Sequence, residues 1–111
     1  MADSNREQIR TELRSLLGEA VVRWDDEALL QHRKDTWSLS VLKAMRGELS
    51  NRPACVVSPG STAEVAALLR FANQRRVPVV PFGGGSGVCG GILPASDAVV
   101  VDLRRMDRIL E

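Results

Sequence analysis

The chain has 111 residues, 44% of them apolar and 26% charged, and a net charge of +1, which describes one globular domain with a modest core and gives no electrostatic reason to expect nucleic acid as a partner. Tyrosine is absent and aromatics reach only 4%, too few for a base-stacking surface. No apolar run approaches the roughly 18 residues of a membrane span, and the polar start MADSNREQIR has no secretion-signal core, so a cytoplasmic protein with reduced thiols at Cys55 and Cys89 is expected.

The first 52 residues read as a helical lead-in. Ser4 and Glu7 have the spacing of a capping box, and Ile9, Leu13, Leu16 and Leu17 follow on one helical face. A helix over about 4–17 is expected, ended by Gly18. Ala20 to Trp24 suits a brief extended piece. Asp25 or Asp26 then caps a short helix through Leu29, Leu30 and His32. From Lys34 to Arg52 the pattern is mixed, with partial helical spacing at Leu39, Leu42 and Met45, and a long, partly irregular connection is expected.

The second half alternates strand and helix. ACVV at 54–57 is a short buried strand. Ser61 and Glu64 form another capping box, and Val65, Leu68, Leu69 and Ala72 give a helical stripe to about Arg75. VPVVP at 77–81 is a second buried strand and AVVVDL at 98–103 a third. Strand, helix and strand with short links imply a right-handed βαβ unit with parallel strands.

Between the last two strands lies PFGGGSGVCGG, residues 81–91, which holds six of the nine glycines in the chain. Glycine loses more conformational freedom on folding than any other residue, so such clustering needs a reason. A loop at the carboxyl end of a parallel strand lies where α/β sheets bind ligands. Without Cβ atoms, successive backbone amides can converge on an anion without any cationic side chain. Residues 78–96 contain no lysine or arginine, and the Ser86 hydroxyl can add one hydrogen bond. The expectation is a pyrophosphate cradle built mainly from main chain. A P-loop is excluded because its lysine is missing. Gly85, Gly87 and Gly90 match the G-x-G-x-x-G of a Rossmann turn, but eight residues between Gly90 and Val99, with Pro94 among them, leave no room for the required helix. The competing plain reading is an unliganded turn between strands.

The ordered set P-x-S-T-x-E-V, A-N, V-P-V-V-P-x-G-G-G-S and V-D-L-R-R-M, spread over residues 53–111, resembles the start of the FAD-binding domain of the vanillyl-alcohol oxidase or PCMH type. The nearest branch by this likeness holds alkyldihydroxyacetonephosphate synthase, D-lactate dehydrogenases and the glycolate oxidase flavin subunit. Residues 20–52 are similar to the family's lead-in, less specifically. The resemblance implies an α+β fold: the first PCMH-type subdomain, a βαβ unit with a small mixed sheet, preceded by N-terminal helices. It divides the chain into a lead-in at 1–52 and the first, truncated part of the FAD domain at 53–111.

The resemblance also implies that FAD is bound by Pro81, Phe82, Gly83, Gly84, Gly85, Ser86 and Gly87, with Val88 and Cys89 just beyond. Some members attach FAD to a histidine in or beside this loop. The single histidine here, His32, is far away in sequence, so non-covalent FAD is expected from this segment. The activity implied is oxidation of a 2-hydroxy acid or related alcohol by a flavin-dependent oxidoreductase. Its substrate site and catalytic residues fall in the family's later parts, so no catalytic residue is assigned here. The alternative is a non-catalytic nucleotide-binding or partner-docking fragment, whose partner would be the missing C-terminal portion.

The remaining residues have plainer readings. His32 is expected to be solvated at the end of a polar helix, and Cys89 to be a small residue tolerated beside glycine. Trp24 and Trp37 are expected to pack on the βαβ unit. Arg75, Arg76, Arg104, Arg105 and Arg108 read as solvated surface. Asp102 and Asp107 have no partner at metal-ligand spacing, so no metal site is expected.

Overall fold

In the computed structural model, residues 2–32, 38–47, 52–87 and 97–110 are described. Four helices and four strands follow in the order α1 (Ala2–Leu17), β1 (Val22–Arg23), α2 (Asp26–Gln31), α3 (Ser38–Met45), β2 (Cys55–Val57), α4 (Thr62–Arg75), β3 (Val79–Phe82) and β4 (Val99–Asp102).

Helix α1 begins before Ser4, because no proline or glycine in the preceding sequence stops it. Ser4 therefore lies inside the helix and not at its cap, contrary to the capping-box expectation. Gly18 ends α1 as expected: at φ +100° it takes the backbone region that suits glycine, and its amide donates to the Arg14 carbonyl at 2.8 Å. Asp25 caps α2 through a 3.2 Å bond from the Ala28 amide. Two hydrogen bonds from the Arg23 guanidinium hold the Asp25 carboxyl below its ordinary range. The expected irregular stretch contains α3, on which the spacing of Leu39, Leu42 and Met45 proves helical while all three side chains stay exposed. Trp37 lies outside the described residues. At α4, Ser61 accepts from the Glu64 amide, the forward half of the expected box. Arg76 ends that helix at φ 54°, a left-handed conformation that costs a non-glycine residue about 1 kcal/mol.

The four strands form one mixed sheet in the order β1-β2-β4-β3. β1 runs antiparallel to β2, while β4 pairs in parallel with β2 on one side and β3 on the other. The two strands that flank α4 are parallel, as expected, but they are not neighbours: β4 lies between them. Pro81, which has no amide hydrogen, sits on the outer strand β3, where a missing ladder donor is tolerated.

Strand alternation divides the core. On one face Cys55, Val57, Val99 and Val101 pack with Val22 and with Ile9 and Leu13 of α1 and Leu68 of α4. On the other face Val56, Val100 and Phe82 pack with Ala28 and Leu29 of α2. Trp24 touches both clusters, so it packs on the unit as expected. The Arg14 guanidinium stands 3.8 Å from its ring centroid, and Arg10 donates to the Ala54 carbonyl, which fastens α1 to the β1 side of the sheet. Cys55 is fully buried, and burial pushes its thiol up to about 12.

Adjacent positions on α4 test this division. Leu68 is 0% exposed and Leu69 49% exposed. Leu68→Ala is expected to lower unfolding free energy by about 2–5 kcal/mol and Leu69→Ala by well under about 1 kcal/mol, measured by urea titration at neutral pH.

Candidate functional site

Because β2, β3 and β4 are parallel, their carboxyl ends share one rim of the sheet. Three segments meet there: the Ser58–Ser61 turn into α4, the glycine loop after β3, and the Leu103–Arg105 stretch after β4. Pro81 and Phe82 are the last residues of β3, the first exposed and the second buried. Gly83, Gly84 and Gly85 form the bend that follows, then Ser86 and Gly87. Val88 and Cys89 lie outside the described residues.

The bend is shaped by what lies behind it. A Cβ on Gly85 would fall 2.7 Å from Phe82 Cζ, and its φ is +70°, so both sterics and backbone require glycine there. Among the described residues, a Cβ on Gly83 would meet nothing within 4 Å, and one on Gly84 only Ser86 Oγ at 3.9 Å. Among the described residues no backbone hydrogen bond engages the amides of Gly83, Gly84 or Gly85, while Ser86 and Gly87 both make contacts of their own. A run of unengaged amides, with no described atom crowding Gly83 or Gly84, is the donor set that a diphosphate bridge needs. The groove between α1 and α4, bordered by Leu16 and Phe71, belongs to the other face of the sheet.

Beneath the loop lies a charged cluster that the sequence reading did not foresee. His32 is 4% exposed, not solvated as expected. It follows α2 on the same face as Ala28, and its ring reaches under the sheet. Nδ1 lies 2.7 Å from the Ala28 carbonyl and Nε2 2.8 Å from Asp102 Oδ2. Arg104 Nη2 lies 3.4 Å from the same Nε2, so both ring nitrogens are engaged. Asp102, on the Val100 face of β4, is 6% exposed. Its Oδ1 accepts from the Arg104 amide and Nε at 3.0 Å each, and its Oδ2 from Arg104 Nη2 at 2.6 Å. Burial pushes the Asp102 carboxyl up, but the hydrogen bonds from Arg104 and then His32 outweigh it and hold it at about 2.

The arginines are exposed, as expected, but several are tied down by surface bonds. Arg104 is exposed yet tied to Asp102, Arg105 donates to the Ser58 carbonyl at 2.8 Å, and Arg75 pairs with Glu12 across α1 and α4. The signal for His32 was its place four residues after Ala28, on the apolar face of α2. For Asp102 it was the strand alternation that puts it in line with Val100. Among the described residues no group of three metal-ligating side chains occurs. No helix among them is long and apolar enough to cross a membrane.

Residues 53–111 match the family described as FAD binding domain. The chain is similar to a probable mitochondrial D-2-hydroxyglutarate dehydrogenase of Oryza sativa subsp. indica, at 34% identity over 97 residues, which is 87% of this chain and 16% of that protein. It superimposes on a solved alkyldihydroxyacetonephosphate synthase with a TM-score of 0.85 and 29% identity, over 95% of this chain and 20% of that one. It also shares the fold of p-cresol methylhydroxylase, at a TM-score of 0.75, 18% identity, and coverage of 97% and 20%. The chain thus spans about a fifth or less of the length of these proteins.

The acid limb of stability tests the buried carboxylate. Because the folded Asp102 carboxyl lies below its unfolded value of 3.8, its contribution is complete above about pH 4 and is lost as pH falls toward 2. In urea titrations at pH 5 and pH 2.5, Asp102→Asn is expected to be the less stable protein at pH 5. The gap to the unsubstituted chain should narrow in acid by about 2 kcal/mol.

Proposed function

The chain belongs to the FAD binding domain family, and we propose that it is the part of a flavin-dependent oxidoreductase that grips the FAD pyrophosphate through main-chain amides of the loop after β3. The reading extends the family's cofactor to particular atoms. The observation that carries it is the set of Gly83, Gly84 and Gly85 amides, unengaged among the described residues, with no described atom closer than 3.9 Å where Gly83 and Gly84 lack side chains. Residues 1–52 act as a lead-in that packs α1 and β1 onto the sheet, and residues 53–111 are the first part of the FAD domain.

In this reading Gly83–Gly85 donate to the diphosphate oxygens, Ser86 adds a hydroxyl contact, and Pro81, Phe82, Gly87, Val88 and Cys89 frame the loop. Bound FAD supplies a ring that accepts a hydride equivalent from substrate. This chain's residues bind and orient the nucleotide end of the cofactor, away from that chemistry. This segment offers no covalent attachment through histidine: His32, its single histidine, is buried with both ring nitrogens engaged. For the whole enzyme the substrate class is a 2-hydroxy acid or related alcohol, in keeping with the name of the rice relative.

Ligand discrimination tests the reading. FAD and ADP share a diphosphate and riboflavin has none, so the first two are expected to bind and riboflavin not, followed by flavin fluorescence for FAD and riboflavin and by calorimetry for ADP. A Cβ at Gly84 would meet no described atom closer than 3.9 Å, so Gly84→Val is the probe. It is expected to keep the unfolding midpoint and to weaken FAD by about ten-fold or more. Riboflavin binding as tightly as FAD, unchanged affinity in Gly84→Val, or no FAD binding by the chain either alone or joined to the rest of the family's FAD domain would discard the cradle.

A further inference from the structure

We propose that His32, Asp102 and Arg104 are positioning residues for the glycine loop, acting through the Phe82 ring to set the direction of the Gly83–Gly85 amides. The consequence for flavin affinity rests on the function proposed above; the effect on the loop does not.

The contacts form a continuous chain. Phe82 is the residue immediately before the bend and is 5% exposed. Its ring touches the Gly85 position, where even one added carbon would come within 2.7 Å of Cζ. The imidazole of His32 packs against the same ring, with centroids 4.6 Å apart and planes inclined at 53°. The Arg104 guanidinium lies 5.6 Å from the ring centroid. Both groups are fixed by one carboxylate, Asp102, which stands directly across the β3–β4 ladder from Phe82 in the strand register. The Leu103 amide also donates to the Phe82 carbonyl at 3.0 Å, so the backbone of the strand end is held from the same side.

Phe82 therefore has little freedom. The His32 ring packs against it, the Arg104 guanidinium lies 5.6 Å from its centroid, the ladder fixes its main chain, and Gly85 rests on its edge. A hydrophobic side chain alone would fill this space but could slide. The bonds that Arg104 donates to Asp102, and the bond between His32 and Asp102, fix where the guanidinium and the imidazole stand, and they fix the tilt of the ring on which the bend sits. The role needs no contact between the cluster and any ligand.

The test separates loop geometry from general stability. Amide resonances of Gly83, Gly84 and Gly85 are compared in the unsubstituted chain, His32→Gln and Leu68→Ala. The last destabilises the opposite face of the sheet without touching the cluster. Positioning predicts that the three glycine resonances move in His32→Gln and stay in Leu68→Ala. It also predicts that FAD affinity, read by fluorescence quenching, falls by about ten-fold in His32→Gln only. Arg104→Gln leaves the buried pair in place and is expected to move the same resonances by less; it decides the matter if His32→Gln does not fold. Unmoved glycine resonances in a folded His32→Gln or Arg104→Gln protein, or equal movement in Leu68→Ala, would overturn the proposal. Resonances that move in a chain that binds neither FAD nor ADP would support positioning while removing the flavin cradle.

Discussion

Asp102 carries a negative charge in a place that water barely reaches, and the rim of the sheet is arranged around that fact. A buried carboxylate without partners is too costly to persist in a domain whose net stability is only about 5–15 kcal/mol. Here two hydrogen-bonding side chains converge on it, the His32 imidazole from the segment after α2 and the Arg104 guanidinium from its own strand end. The pairing ties the lead-in to the third parallel strand, two segments 70 residues apart in sequence. It also explains why His32 is buried: the ring satisfies one acceptor on its own helix and one on the sheet, so little of its polar surface remains to be hydrated. Ion pairs of this kind contribute more to the choice of one arrangement than to raw stability.

Much of the architecture was legible in the residues. The helical stripe of α1, the Ser61 cap of α4, the short valine-rich strands and the loop after β3 follow from periodicities of 3.6 and 2 and from glycine placement. The family match agrees with the ordered motifs of residues 53–111. What was not legible depended on distance. Nothing local indicates that Val99–Asp102 slots between two strands that precede it, because pairing partners are chosen by the whole sheet. Nothing local joins His32 to Asp102. A histidine in a mostly polar stretch is read as hydrated until its helix face is compared with the sheet it covers. Arg76 in a left-handed conformation is a further case, since local preference would place glycine there and the tertiary course of the chain overrides it.

The glycine loop has two kinds of glycine. Gly85 is required from behind, by the Phe82 ring and by its own backbone angle. Gly83 and Gly84 are not required by any described residue. In the proposed cradle, that asymmetry would separate scaffold from binding surface within three consecutive residues. A purely structural turn would need the first kind only, and a surface meant to be approached closely needs the second. The lack of lysine or arginine from 78 to 96 belongs to the same economy. Main-chain donors hold an anion at fixed geometry and leave the local field mild, which suits a cofactor that stays bound through repeated turnovers.

The strand order has a consequence for how the protein is born. β2 and β3 emerge early but are not each other's neighbours; both wait for β4, at residues 99–102. While the nascent chain is still threaded through the ribosome's exit tunnel, helices α1 and α4 can coil locally, but the sheet has no middle. Two strand edges with valine-rich faces stay unzipped until β4 is released, a window in which a chaperone or a neighbouring polysome-bound copy can reach them. Closure then comes as one long-range event, and the rim that carries the loop is assembled in that same step.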